Sequence, residues 1–473
     1  MGGGWVVAEG QGRAMPDTTM NRTPADRQSP HDTMKFRLPL ALLTLALAAC
    51  APLKPAGPPP EKRYSAAELL ALQPGDFSWP ATTASGEREL RERALADVRA
   101  RAALPPGPER DAALPGMLEA VALFNAEVDT VRPLLLAALP TLGSRDPETQ
   151  RALLTAAHTH YAADAAPLLW PLLPQLTASK PFAIAAYTLL QADPGAADRL
   201  QRVVAQQFPV WAEDARLLAL MQRLQPAASQ RPPLADLLAA PLRPGYPAVY
   251  SLQRPGRDVM GLALVRGADG RFLREPDGRL YAQPQLARAL THLPGTLTNG
   301  NTPQGLYTLV GAGTATNPWI GPTPYLHTKL PIEATVAEFE HAAIADTPPW
   351  SEAVYDSFLP PAWRGWPPIH EAWLAGRAGR DEILMHGTVV NPRYYQGAGY
   401  FPGTPSAGCM VSQEIWDATT GRLLHSDQLR LAQAYARVSR REDLAGYLVV
   451  VELPGAGPVS LAEAQAAVEA TGL

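Results

Sequence analysis

The sequence predicts a multidomain α + β chain, in which an N-terminal α-helical region of solenoid or bundle type precedes a mostly-β region. Three observations carry that expectation. From about Tyr64 to Pro226 the residues are rich in alanine and leucine, and the apolar positions recur with helical spacing. Gln230–Tyr246 then concentrates proline, which marks a boundary. Beyond it the apolar runs shorten and Asp-Gly pairs separate them, the mark of hairpins. A chain of 473 residues with 46% hydrophobic content can hold two or three such units. The net charge of −4 and the lack of a basic run argue against nucleic acid as a partner. The 50 prolines point to linkers and irregular loops.

The start of the chain reads as a targeting segment. Residues 1–33 are polar and without periodicity, a leader that precedes the true start or is disordered. Met34-Lys-Phe-Arg is a short positive stretch, and Leu38 to Ala49 is an apolar run too short to span a bilayer as a mature helix, so residues 34–49 read as a signal peptide. The run ends Leu47-Ala48-Ala49-Cys50, which resembles a bacterial lipobox. That resemblance implies cleavage before Cys50 and lipid on its sulfur; the alternative is an ordinary secretory signal with an incidental cysteine. Several acyl chains would anchor the protein stably, where one alone is marginal. Ala51, not Asp, follows the cysteine, which favours an outer-membrane anchor facing the periplasm. Residues 50–63 then read as a semi-rigid, proline-rich tether.

In the helical region, residues 64–229, Glu87 to Leu104 is a charged amphipathic helix. Asp146-Pro147 supplies an N-cap followed by proline at the first helical position, and Leu153, Leu154, Ala157 and Tyr161 fall on one face behind it. Asp193-Pro194 repeats the signal and Ser179-Lys180-Pro181 varies it, so a small solenoid and a non-repeating bundle are both open. No chemistry is visible here. His158 and His160 sit two apart and cannot share a metal on a helix, and Trp170 and Trp211 read as core. A solenoid suits a protein partner, by fold analogy alone.

Residues 230–246 read as a linker and 247–455 as the β-rich unit. Met260–Arg266 is a strand leading into a turn at Asp269-Gly270, and a second turn follows at Asp277-Gly278. Glu382–His386 and Tyr447–Leu453 are buried-looking strands, the latter closing the sheet. Ser460-x-x-Glu463 is a capping box opening a short helix within residues 456–473.

The chemistry concentrates between Met385 and Val411. His386 ends an apolar run, Cys409 follows Ser406-Ala407-Gly408, and a loop rich in Gly, Pro and Tyr joins them. Three pieces in order, Thr302-Pro303-x-Gly305-x-Tyr307, His386-Gly387-Thr388 and Ser406-x-Gly408-Cys409, resemble the L,D-transpeptidase (YkuD-like) catalytic domain; Asn391-Pro392 is also similar. The resemblance covers roughly Tyr250 to Leu453. It implies a β-sandwich-like domain and a periplasmic transferase of cell wall biogenesis, acting on peptidoglycan stem peptides, with Cys409 as nucleophile and His386 as base. It further implies that the Gly387 carbonyl orients the imidazole and that the N–H groups of Ala407, Gly408 and Cys409 form an oxyanion hole. The chain departs from the family at Ala407, where a basic residue is usual, and at Met410-Val411 in place of Ile-Arg.

Residue chemistry agrees with this. A free thiol needs help to attack at neutral pH, and an adjacent imidazole can supply it through a thiolate–imidazolium pair. In an oxidising compartment cysteines usually pair. With Cys50 taken by lipid, Cys409 has no intramolecular partner, which makes it a candidate nucleophile. The plain alternatives are an inert buried cysteine and a core histidine. Tyr394, Tyr395 and Tyr400 could stack on substrate or merely pack the loop. Trp319 and Tyr325 read as packing rather than lid. Ser406 sits in an imperfect nucleophile elbow and reads as positioning substrate or thiolate. No cofactor is expected, and His327, His341 and His370 lack metal-ligand spacing. The acceptor could be an amine, giving transfer, or water, giving a carboxypeptidase or endopeptidase. A non-catalytic wall-binding scaffold is the third reading.

Overall fold

The structure, a computed structural model, describes residues 62–226, 230–315, 317, 319–342, 348–389 and 406–473. Cys50, the signal peptide, nearly all of the tether, and Asn391, Pro392, Tyr394, Tyr395 and Tyr400 lie outside the described residues. The last tether residue, Arg63, forms strand β1 with Tyr64, and helix α1 follows at Ala66–Ala71. Ser65 caps α1, its hydroxyl accepting the Glu68 N–H while the Glu68 carboxylate accepts the Ser65 N–H.

Helices α2 (Ala84–Ala102), α3 (Pro108–Phe124), α4 (Val128–Ala138), α5 (Pro147–His160), α6 (Ala162–Leu169), α7 (Ser179–Ala192), α8 (Ala197–Gln207) and α9 (Ala215–Leu224) make the helical region. Asp146 caps α5 by accepting the Glu148 and Thr149 N–H groups, as the sequence predicts. Leu153, Leu154, Ala157 and Tyr161 are buried, in one cluster with Leu135, Phe182 and Leu200. The prolines depart from expectation: Pro115, Pro133 and Pro167 sit inside α3, α4 and α6. Each removes one helical N–H donor, and buried aliphatic packing of the same helices holds them together despite that.

The segment expected as a linker is ordered. It carries α10 (Leu234–Ala239), whose Leu234, Leu237 and Leu238 are buried. Buried Arg266 donates to the carbonyls of Leu238 and Ala240, at 3.2 and 2.7 Å.

The β region follows, with strands β2 (Ala248–Gln253), β3 (Gly261–Arg266), β4 (Ala282–Gln285), β5 (Gly305–Gly313) and β6 (Tyr325–Lys329). After these come α11 (Val336–Phe339), α12 (Glu352–Ser357), α13 (Glu371–Arg377), β7 (Leu384–His386), β8 (Met410–Val411), β9 (Glu414–Trp416), β10 (Leu423–Ser426), α14 (Asp427–Ser439), β11 (Ala445–Glu452) and α15 (Leu461–Glu469). Gly270 and Gly278 turn the chain with φ of +83° and +85°, at the two predicted turns. Ser460 caps α15 by accepting the Glu463 N–H.

The strands run in the order β4-β3-β2-β11-β5-β6-β7-β8, and β1 pairs with β5. β11 is parallel to β2 and β7 to β8, while the other pairs on this path are antiparallel. Leu286, just past β4, exchanges both main-chain hydrogen bonds with Val411 of β8, each 2.8 Å. The resemblance implies a sandwich-like domain; the strands instead follow one continuous, nearly closed sheet, with β9–β10 as a separate ribbon.

One face carries Val249, Tyr307, Leu448 and Val450 against Leu69 of α1 and Leu431 and Tyr435 of α14. The other carries Tyr250, Leu252, Val449 and Val451 against α10, α13 and α15. Residues 63–71 therefore belong with the sheet rather than with the helical region. The helical and β regions also share one compact unit. Leu293 and Leu297 join the helical core, and Arg377 donates to the Glu213 carbonyl at 2.7 Å.

Candidate functional site

His386 and Cys409 are placed by the only parallel pair at this end of the described sheet. β7 and β8 align Met385 with Met410 and His386 with Val411. Cys409 immediately precedes β8, and its sulfur lies against the main chain just before His386 in β7, at the Leu384 N–H.

The turn before Cys409 is held at several points. Ser406 is fixed by its main chain, donating to the Arg288 carbonyl at 3.2 Å and accepting from Leu290 N–H at 2.7 Å. The Ser406 hydroxyl donates to the Cys409 carbonyl at 2.7 Å and accepts the Gly408 N–H at 2.9 Å. Gly408 has φ of +125°, and a Cβ there would overlap the Arg380 guanidinium, so only glycine fits. Thr302 donates its hydroxyl to the Gly408 carbonyl at 2.8 Å. Thus the first and third of the three motif pieces touch, and strand pairing joins the second to the third. Within the first piece, Tyr307 is buried and its hydroxyl donates to the Pro303 carbonyl at 2.7 Å.

His386 is 5% exposed. Its Nδ1 donates to the carbonyl oxygen of Gly387, which leaves Nε2 unprotonated and able to accept a proton. Burial pushes the imidazole down to about 4, against the Gly387 bond, which favours its charged form. Cys409 is half-buried as a residue, but its sulfur lies against main chain: it accepts the Leu384 N–H at 3.4 Å and donates to the Glu382 carbonyl at 3.6 Å. Burial pushes the thiol up to about 11, opposed by the Leu384 N–H and by Arg380. Among the described residues no hydrogen bond joins the imidazole to the thiol.

Desolvation favours the neutral form of both the imidazole and the thiol. The Gly408 N–H is taken up by the Ser406 hydroxyl. The N–H groups of Ala407 and Cys409 meet no acceptor among the described residues. The Ser406 hydroxyl ties together the main chain on both sides of Gly408, from Ser406 to Cys409. Trp319 packs edge-on against Phe124 of α3, with ring centres 6.2 Å apart, and Tyr325 is buried in β6.

Sequence reasoning missed two charged residues here. Arg380 is buried, and donates to the carbonyls of Gly295, Gly300 and Asn301 at 2.5, 2.5 and 2.7 Å. Among the described residues no carboxylate pairs with it, and its charge acts on Cys409. Glu414 is 4% exposed, and burial pushes its carboxyl up to about 8. A charge beside an apolar strand was the available signal, but nothing in one sequence says which charge turns inward. Among the described residues no group of three His, Cys, Asp or Glu side chains could hold a metal, and no helix is long and apolar enough to cross a membrane.

No protein-family model, curated protein or solved structure matches the chain.

Proposed function

We propose that the chain is a cysteine acyltransferase of the L,D-transpeptidase type, anchored through lipid on Cys50 and acting on peptidoglycan stem peptides in the periplasm. The observation that carries this reading is the imidazole of His386, held by the Gly387 carbonyl with Nε2 left as acceptor, on the strand that pairs with the one Cys409 leads into. With both groups neutral, the sulfur attacks the carbonyl carbon between the stem's diamino acid and its terminal D-alanine as its proton passes to Nε2. The carbon–nitrogen bond breaks, D-alanine leaves with that proton, and a thioester remains on Cys409. An incoming amine then attacks the thioester and gives its proton to Nε2, the carbon–sulfur bond breaks as the amine takes the acyl group, and the imidazolium returns the proton to the Cys409 sulfur. For the first step the sulfur must leave the Glu382 carbonyl for the imidazole. The N–H groups of Ala407 and Cys409 are the donors to the oxyanion; losing one such donor costs on the order of a hundredfold or more. Tyr394 and Tyr395 are proposed to contact the stem.

Intact mass after incubation with a carbapenem tests the reading. A single adduct is expected on the parent and none on Cys409→Ala, whose acylation falls by about 10⁴-fold or more. Equal acylation of the two proteins would sink the proposal. Products separate transfer from hydrolysis on the same site, since new dimers require an amine acceptor and new free carboxylates require water. One observation favours a non-catalytic wall-binding scaffold, namely that the thiol bonds main chain and is held neutral. Undiminished wall binding and cell phenotype with Cys409→Ala would favour that scaffold.

A further inference from the structure

The peptide unit between Gly387 and Thr388 is held on both sides. Its carbonyl oxygen accepts the His386 Nδ1–H, and its N–H donates to Glu414 Oε2 at 3.1 Å. The other oxygen of Glu414 accepts the Ser426 hydroxyl at 2.8 Å. The carboxyl lies so close to Gly387 that a Cβ there would overlap it, which explains the glycine beside the histidine. Among the described residues no cation pairs with Glu414. A buried carboxyl without a cation is costly, and ordinary packing gives no reason for it. Ser426 holds the carboxyl, the carboxyl holds the peptide plane through Thr388 N–H, and that plane carries the oxygen that selects the imidazole tautomer.

We infer that Glu414 is a positioning residue for His386, acting through the Gly387–Thr388 peptide. The link between Glu414 and the tautomer stands on geometry alone; its effect on acyl transfer rests on the proposed function. A free Gly387 carbonyl could rotate away, and the proton could then move to Nε2, the nitrogen needed as acceptor. Burial pushes the Glu414 carboxyl up to about 8, so the neutral amide of glutamine is a close stand-in at neutral pH.

The test uses the full chain with ¹⁵N-labelled histidine, the His386 signals being assigned by loss in His386→Gln. The parent and Glu414→Gln should show a protonated Nδ1 on His386. Glu414→Ala, and Glu414→Asp with its oxygen withdrawn by one methylene, should show the proton redistributed to Nε2. Carbapenem acylation of Cys409 should fall about 10- to 100-fold in the Ala and Asp variants, as expected for a misplaced catalytic group, and recover in Glu414→Gln. Wild-type tautomer signals in a folded Ala or Asp variant would overturn the inference. Should the Ala variant fail to fold, the Asp variant decides. A tautomer change with no acylation even in the parent would leave the positioning role standing and remove the transferase reading.

Discussion

The helical region and the β region bury different things. Among the described residues before 230, the buried polar side chains are Thr149, His158 and Thr188. The β region buries Arg254, Arg257, Arg266, Arg380, His386, Glu414 and Asp427. The first interior is aliphatic and is stabilised by the apolar area it removes from water. The second sets charged groups in fixed positions, at a desolvation cost that only good hydrogen bonding offsets. Some of these groups have plain structural work: Arg257 pairs with Glu452 at 2.7 Å, and Arg254 with Glu463 at 2.6 Å. Arg380, His386 and Glu414 have no ion-pair partner among the described residues; Arg380 lies against the turn before Cys409, and His386 and Glu414 meet at the Gly387–Thr388 peptide. Where buried polarity is not needed to hold the fold, a functional site is the better explanation.

The largest effect that would test this contrast is at His386. Replacement by glutamine should lower carbapenem acylation of Cys409 about 10²- to 10⁴-fold, the usual contribution of a general base. The pH profile carries the sign. On the proposed function the neutral imidazole is the base, and burial holds it neutral down to about 4, so the rate should be lost as pH falls through about 4. Loss near the ordinary histidine value of about 6.5 would mean that the imidazole meets water.

Arg380 gives a smaller and more divided effect. Arg380→Met removes the cation that opposes burial at the thiol, so the pH midpoint for alkylation of Cys409 by iodoacetamide should move further up. It also leaves the carbonyls of Gly295, Gly300 and Asn301 without that donor, at about 1–3 kcal/mol each. Arg380→Lys keeps the charge without the planar fork, and should restore the alkylation midpoint more fully than the thermal stability. Recovery of both together would make Arg380 a structural anchor alone.

How far the sequence could be read follows the same division. The cap at Asp146, the apolar face of α5, the turns at Gly270 and Gly278 and strand β11 are local, and local signals predict them. The interior prolines Pro115, Pro133 and Pro167 are not legible as helical, because tertiary packing overrides their cost. The order of α10 in the expected linker depends on Arg266, 26 residues beyond Ala240, and the closure of the sheet depends on Leu286 meeting Val411. At the candidate site the Gly387 carbonyl accepts the Nδ1–H of His386, the preceding residue in the chain, and the hydroxyl of Ser406 accepts the Gly408 N–H, contacts too local for residue spacing to foretell. Glu414 acts through a hydrogen bond to Thr388, 26 positions away, which no spacing rule reveals.

The smallest expected effect on chemistry comes from the helical core, where the effect on stability should be large. Leu153 is fully buried among aliphatic neighbours, so Leu153→Ala should cost about 2–5 kcal/mol, read from denaturant unfolding. At temperatures where the variant remains folded, alkylation of Cys409 should follow the parental pH profile, since no charge near the sulfur has moved. The regions do touch, through Leu293 and Leu297 in the helical core, and Asn301 beyond them accepts from Arg380. A shifted alkylation midpoint in Leu153→Ala would mean that this short chain segment carries packing changes to the guanidinium beside the thiol. The helical region would then help set the reactivity of Cys409, and the division between an aliphatic support and a charged site would fail.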